Sequence, residues 1–205
     1  MIQKWFFLGL ILCVFGCSSN KKTIDKKSIV ITPKIEKKEI EIPKRIPFKD
    51  TVTAKKDANG YLVGIANRFD FQDSAYKEWF DSRYEEYTTN KQVVNEISKH
   101  IHQLTIKVFM GTWCGDSRRE IPGFYKILDE TAFDVNYLQL IGVDRSKKYD
   151  DYEKDLTIFR VPTIIFLKNG KEIGRFVEYP KETIEKDFLK IVSGQSYKHS
   201  YVDYK

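Results

Sequence analysis

The chain has 205 residues, of which 41% are hydrophobic and 14% aromatic, enough to bury one good core but hardly two full-sized ones. Its formal net charge of +6 is unevenly placed, because residues 21–56 alone hold 12 Lys or Arg against 5 Asp or Glu, and the remainder from residue 57 onward is slightly acidic. Positive charge confined to one Lys-rich arm argues against nucleic acid as a partner.

Taken in chain order, Lys4 precedes an uncharged run over residues 5–15, and Gly16 stands before Cys17-Ser18-Ser19. A positive start, a short apolar stretch and a small exit residue describe a secretory signal, too short for a comfortable membrane span. The sequence Val14-Phe15-Gly16-Cys17 resembles the lipobox of bacterial lipoproteins, although Phe15 is bulkier than the commonest residue there. The resemblance implies a signal peptide over residues 1–16, cleavage before Cys17 and lipidation of its sulfur. The membrane would then be a partner through a lipid anchor, in the bacterial cell envelope and facing the periplasm. An ordinary signal peptide is the alternative. Residues 17–56 are Lys-rich, poor in aromatics and carry Pro33, Pro43 and Pro47, a composition that cannot bury enough surface to fold. They are expected to form a disordered tether, either a solvated spacer or an arm for anionic head groups.

Residues 57–103 are expected to form a helical extension. Tyr76, Trp79, Phe80, Tyr84 and Tyr87 recur at three- and four-residue spacing, which predicts an amphipathic helix over residues 73–87 with Asp73-Ser74 at its start. An aromatic stripe at that spacing is core rather than a ligand box. A second helix is predicted over residues 91–102, burying Val93, Val94, Ile97 and Ile101. His100 and His102 have no Cys or His cluster around them, so no metal site is expected.

The remainder alternates strands and helices. Residues 104–110 read as a strand, 116–131 as a helix after a tight Gly-Thr-Trp-Cys-Gly turn, and 135–143 as the next strand. Apolar runs at 163–167 and 173–177 flank Lys168-Asn169-Gly170-Lys171, and Asn-Gly between such runs signals a hairpin. Residues 181–192 form a closing amphipathic helix, and residues 195–205 are left as a tail. This order predicts an α/β fold, a central mixed sheet flanked by helices.

Gly111-Thr-Trp-Cys-Gly-Asp-Ser-Arg118, Arg160-Val-Pro-Thr163 and Phe166-Leu-Lys-Asn-Gly170 together resemble the thioredoxin family over residues 104–194. Pro122 lies eight residues after Cys114, where thioredoxins kink the active-site helix, and Val161-Pro162-Thr163 matches the family's cis-proline segment. The extension and the lipobox make the chain similar to exported members.

A thiol attacks a disulfide as thiolate, and a helix N-terminus favours that form at Cys114. Ser117, one turn later, is expected to donate a hydrogen bond from its hydroxyl or its backbone to the sulfur. A cis bond before Pro162 would present the backbone of Val161 beside Cys114 as an edge for an extended substrate, and Trp113 would shield the sulfur or simply pack. The candidate catalytic residues are therefore Cys114, Ser117, Trp113 and Pro162, with Cys17 as the lipidation site and no cofactor.

The chain also departs from the family. Ser117 replaces the second cysteine, so the motif is Cys-Gly-Asp-Ser, and Cys13 and Cys17 belong to the leader and the anchor. A mixed disulfide at Cys114 would need another molecule's thiol to resolve it. Val108 stands where many thioredoxins bury a carboxylate, and Glu178 takes the place of a family glycine near the substrate groove. Two function classes stay open: a monothiol oxidoreductase acting on a protein or low-molecular-weight thiol or disulfide, and a redox-inactive thioredoxin scaffold that binds a peptide or protein partner. A peroxide-reacting cysteine ranks below both, since the Pro-x-x-x-Thr-x-x-Cys context is missing.

Overall fold

A computed structural model describes residues 45–203; the expected signal peptide, Cys17 and most of the expected tether lie outside the described residues. Strands β1 (Lys55–Lys56), β2 (Leu62–Ala66), β3 (Leu104–Met110), β4 (Leu138–Gly142), β5 (Thr163–Lys168) and β6 (Lys171–Val177) form one mixed sheet in the order β1-β2-β4-β3-β5-β6. β3 lies at its centre, parallel to β4 and antiparallel to β5. Its apolar residues point to both faces, and both faces are covered: Ile106 and Val108 on one side, Phe109 on the other, are buried. This is the mixed α/β architecture that the order of elements predicts.

Helices α1 (Lys77–Glu86), α2 (Lys91–Ser98), α3 (Gly115–Glu130) and α4 (Ile184–Val192) complete the fold, with α1 packing on α3 and α2 on α4. Local chemistry sets their starts. The Asn90 side chain accepts from the amides of Gln92 and Val93 at the head of α2, and Thr183 accepts from Lys186 at the head of α4, each satisfying donors that the helix itself leaves unpaired. The predicted start at Asp73 corresponds to a turn in which the Asp73 carbonyl accepts from both Tyr76 and Lys77, 2.9 Å each, and α1 proper begins at Lys77. The aromatic stripe is core: Phe80 stacks on Phe71 with centroids 4.6 Å apart, Tyr76 is buried, and Trp79, Tyr84 and Tyr87 pack around them.

Asn169 (φ 54°) and Gly170 (φ 74°) both adopt the left-handed conformation that a two-residue hairpin turn requires, joining β5 to β6 with Lys168 opposite Lys171. Residues 144–162 form a run of turns rather than a helix, with Lys147, Asp150, Asp151, Asp155 and Thr157 at positive φ. Its stacked Tyr149 and Tyr152, with Leu156 and Ile158, cover the sheet face that carries Phe109, Ile141 and Ile165.

Three boundaries differ from the sequence reading. Residues 45–56 are folded rather than tether: Arg45 donates to the carbonyls of Ile101 and Leu104 and lies 3.5 Å from the Tyr137 ring centroid, and Asp50 accepts from Tyr152 and Gln139. Residues 57–103 are not wholly helical, because β2 extends the sheet by pairing antiparallel with β4. Residues 195–203 are packed, with the Tyr197 hydroxyl on Asp187 and the Ser200 hydroxyl on the carbonyl of Tyr179. In the first and last cases polar or basic composition hides a segment whose hydrogen-bond partners lie outside it, and in the second a five-residue apolar strand is too short to show its period.

Candidate active site

The site forms where β3 ends. Met110 leads into a tight turn in which Cys114 N donates to the Gly111 carbonyl at 2.9 Å. Only glycine fits at 111, because a Cβ there would lie 2.4 Å from the Trp113 indole. The turn is tied to its surroundings at three points. Buried Thr112 accepts from Leu62 N at 3.0 Å, Arg118 Nε donates to the Thr112 carbonyl at 2.5 Å, and Trp113 Nε1 donates to the Val143 carbonyl at 2.9 Å. Strand β2, missing from the sequence reading, therefore braces the active-site turn directly.

Cys114 occupies the N-cap of α3 with extended backbone and gives the helix no side-chain cap. The first amides of α3 lack a side-chain acceptor, so the half-buried sulfur sits at a helix end suited to an anion. The Sγ donates to the Val161 carbonyl at 3.1 Å. The Val161-Pro162 bond is cis, as the resemblance implies, and it sets the Val161 backbone beside the thiol. Trp113 belongs to the same apolar cluster as Cys114 and Val161, so it packs and forms one wall of the site at once.

Ser117 differs from expectation. Its side chain is fully buried, and its hydroxyl oxygen accepts from Gly111 N at 3.2 Å. It holds the start of the turn and makes no hydrogen bond to the Cys114 sulfur. The reason is helical geometry: position 117 on α3 points back under the turn, where an unpaired Gly111 amide would otherwise be buried without an acceptor. Val108 is buried in the centre of β3 between Leu140 and Ile164, so no carboxylate lies at that position.

Opposite Trp113, a second wall is assembled from distant segments. Glu178 N donates to the Pro162 carbonyl at 2.7 Å, and Glu178 has φ 66°, the left-handed region that favours glycine. Its carboxylate accepts from the Tyr201 hydroxyl and lies 3.5 Å from Arg160 Nη1. The Arg160 guanidinium lies 5.0 Å from the Tyr201 ring centroid, and that ring also packs on Phe159 and Tyr179. Burial pushes the Glu178 carboxyl above the ordinary glutamate range, with Arg160 opposing the shift. Sequence reasoning found Glu178 but missed Tyr201 and Arg145; the signal available for Tyr201 was an aromatic residue in an otherwise polar tail.

A family model described as Thioredoxin matches residues 66–190. That match starts inside β2, well before the Leu104 at which the motif resemblance begins. The chain is 32% identical to Thioredoxin H2 of Arabidopsis thaliana over 97 residues, 47% of this chain and 68% of that protein. It is 31% identical to Thioredoxin H9 of the same plant over 90 residues, 44% of this chain and 61% of that protein. To Thioredoxin of Gallus gallus it is 30% identical over 90 residues, 44% of this chain and 81% of that protein.

Proposed function

The chain belongs to the thioredoxin family, and within it we propose that this protein exchanges disulfides through the single thiol of Cys114 while anchored to the bacterial envelope by a lipidated Cys17. The observation that carries the reading is the thiol itself: half-buried, at the head of α3, and 3.1 Å from the Val161 carbonyl beside cis-Pro162. In the forward step the Cys114 thiolate attacks one sulfur of a substrate disulfide. One S–S bond forms to Cys114, the substrate's S–S bond breaks, and the electron pair leaves on the departing thiolate. Cys114 is the sole cysteine among the described residues, so an external thiol completes the cycle. Its thiolate attacks the mixed disulfide and becomes oxidised as Cys114 is released.

Incubation of the reduced protein with a small disulfide should yield a mixed disulfide on Cys114, visible by mass spectrometry and discharged by glutathione; Cys114→Ser should give none. A wild-type protein that forms no adduct overturns this reading. It would leave the scaffold alternative, which draws on the Glu178 and Tyr201 contacts that narrow one side of the site. For the anchor, mature protein should begin at a modified Cys17 and partition with membranes, and Cys17→Ala should release it. An unmodified N-terminus at another residue sinks the anchor without touching the chemistry at Cys114.

A further inference from the structure

Four arginines lie on the segments that build the site, Arg118 and Arg119 on α3, Arg145 after β4 and Arg160 before cis-Pro162, and they divide into two kinds. Arg119 is neutralised by Asp116 and Glu120, at 2.6 Å each, and Arg160 by Glu178 at 3.5 Å. Arg118 and Arg145 are different. Both are exposed, and among the described residues neither has a carboxylate within ion-pair distance. Arg118 follows Cys114 by one helical turn, its backbone amide bonded to the Cys114 carbonyl at 3.1 Å. Its Nε donates to the Thr112 carbonyl and its guanidinium lies 5.8 Å from the Trp79 ring centroid, and among the described residues neither Nη has a protein acceptor. Arg145 lies across Trp113, with its guanidinium 5.6 Å from that ring centroid and 5.2 Å from that of Tyr61, and one Nη donates to the Tyr61 hydroxyl at 2.8 Å. Two carboxylates on the neighbouring loops, Asp144 and Asp57, are engaged elsewhere. Asp144 accepts from Ser146 and Lys148, and Asp57 from the amides of Asn59 and Tyr61.

We infer that Arg145, over Trp113, and Arg118, in the first turn of α3, make the site selective for disulfides that carry a carboxylate next to the reacting sulfur. The inference rests on exchange at Cys114 and adds the substrate's charge to it. Aromatic neighbours hold Arg145 in place, so little side-chain freedom remains to be lost when an anion docks. Its position over Trp113 sets the charge on the residue that precedes Cys114. Arg118 adds a second cation in the first turn of α3, whose N-terminal dipole has the same sign. Opposite charge at a rim acts mainly on encounter and orientation, so the signature is a rate that depends on substrate charge and on salt.

The test compares the reduced full chain with two disulfides of similar reactivity and opposite character, the dianionic 5,5′-dithiobis(2-nitrobenzoate) and the neutral 4,4′-dithiodipyridine, by stopped-flow absorbance. The wild-type ratio of anionic to neutral rate should fall about two- to five-fold in Arg145→Gln and about five- to twenty-fold when Arg118→Gln is added, with the loss shrinking at high salt. Arg145→Lys should keep most of the ratio. Because Arg118 also supports the turn through Thr112, Arg145→Gln alone decides if the double variant is misfolded. A second arm uses short disulfide-linked peptides with Asp or Asn beside the cysteine: a preference there assigns a polypeptide partner, and one confined to the small pair assigns a small carboxylate-bearing disulfide. A ratio unchanged in Arg145→Gln, or one insensitive to salt, overturns the inference while exchange at Cys114 stands. A wild type that reacts with neither reagent removes exchange itself.

Discussion

The two walls flanking Cys114 are built in opposite ways. The Trp113 wall is nearly continuous in sequence: residues 111–118 fold into one turn and the head of one helix, and Leu62, Trp79, Val143 and Arg145 come to it from elsewhere. The far wall has no continuous stretch of that kind. Arg160 and Val161 precede β5, Glu178 follows β6, and Tyr201 comes from the C-terminal tail, meeting through contacts that span 16 to 47 residues of chain. A local wall is stiff because its hydrogen bonds close short loops. A composite wall depends on each segment docking, and it is the wall on which relatives of one fold differ most readily.

The largest effect is expected from breaking the local wall. Gly111→Ala places a methyl group 2.4 Å from the Trp113 indole, which Val143 anchors, and should destabilise the fold by about 1–3 kcal/mol. Denaturant melts check the stability, and the rate of Cys114 alkylation should change with it as the turn shifts. An unchanged melt would show that the indole can move aside.

Ser117→Cys sharpens the comparison from within the same wall. The substitution restores a Cys-Gly-Asp-Cys pair, so an internal thiol can discharge a mixed disulfide at high effective concentration. Insulin reduction should rise above wild type, yet stay well short of an ordinary thioredoxin because Val108 offers no carboxylate to the new thiol. Replacing a hydroxyl that accepts from the buried Gly111 amide should cost about 1 kcal/mol in the reduced form. If mass spectrometry shows the internal disulfide and insulin reduction is no faster, the far wall excludes such substrates.

The smallest effects belong to that far wall. Glu178→Gly relieves a left-handed backbone, a gain of about 1 kcal/mol, and removes contacts with Tyr201 and Arg160, so net stability should move little. Reaction with a bulky peptide disulfide should rise relative to a small one, and an unchanged ratio would show that the Tyr201 contact does not limit access. The same side chain predicts a weak pH dependence. A carboxyl with its folded pKa raised above the unfolded value contributes its stability in full below the unfolded value and loses it as pH rises through the folded one. Stability of wild type relative to Glu178→Gln should therefore decline from acid toward neutral pH, modestly because Arg160 and solvent screen the group. A flat difference would remove Glu178 as the titrating group.

Much of the sheet, α3 and the hairpin turn was legible in the sequence. Period-two burial at residues 104–110, Gly-rich turn chemistry at 111–115 and Asn-Gly at 169–170 are local signals, and their outcome lies within a few residues of the signal. The same holds for Cys114 at a helix start and for Pro162. Ser117 shows the limit: its identity and its turn were readable, but the direction of its hydroxyl depended on which buried donor lacked a partner.

What the amino-acid sequence determined by itself was the α/β order, the aromatic core stripe and the cysteine at the head of α3, since each follows from spacing along one segment. The tertiary structure alone decided that residues 45–56 and 195–203 fold, that β2 completes the sheet and braces Thr112, and that Glu178 meets Tyr201. Those outcomes turn on polar groups finding distant partners. A Lys-rich or Tyr-bearing segment has the same composition whether its hydrogen bonds go to water or to a distant backbone carbonyl, as those of Arg45 do to Ile101 and Leu104.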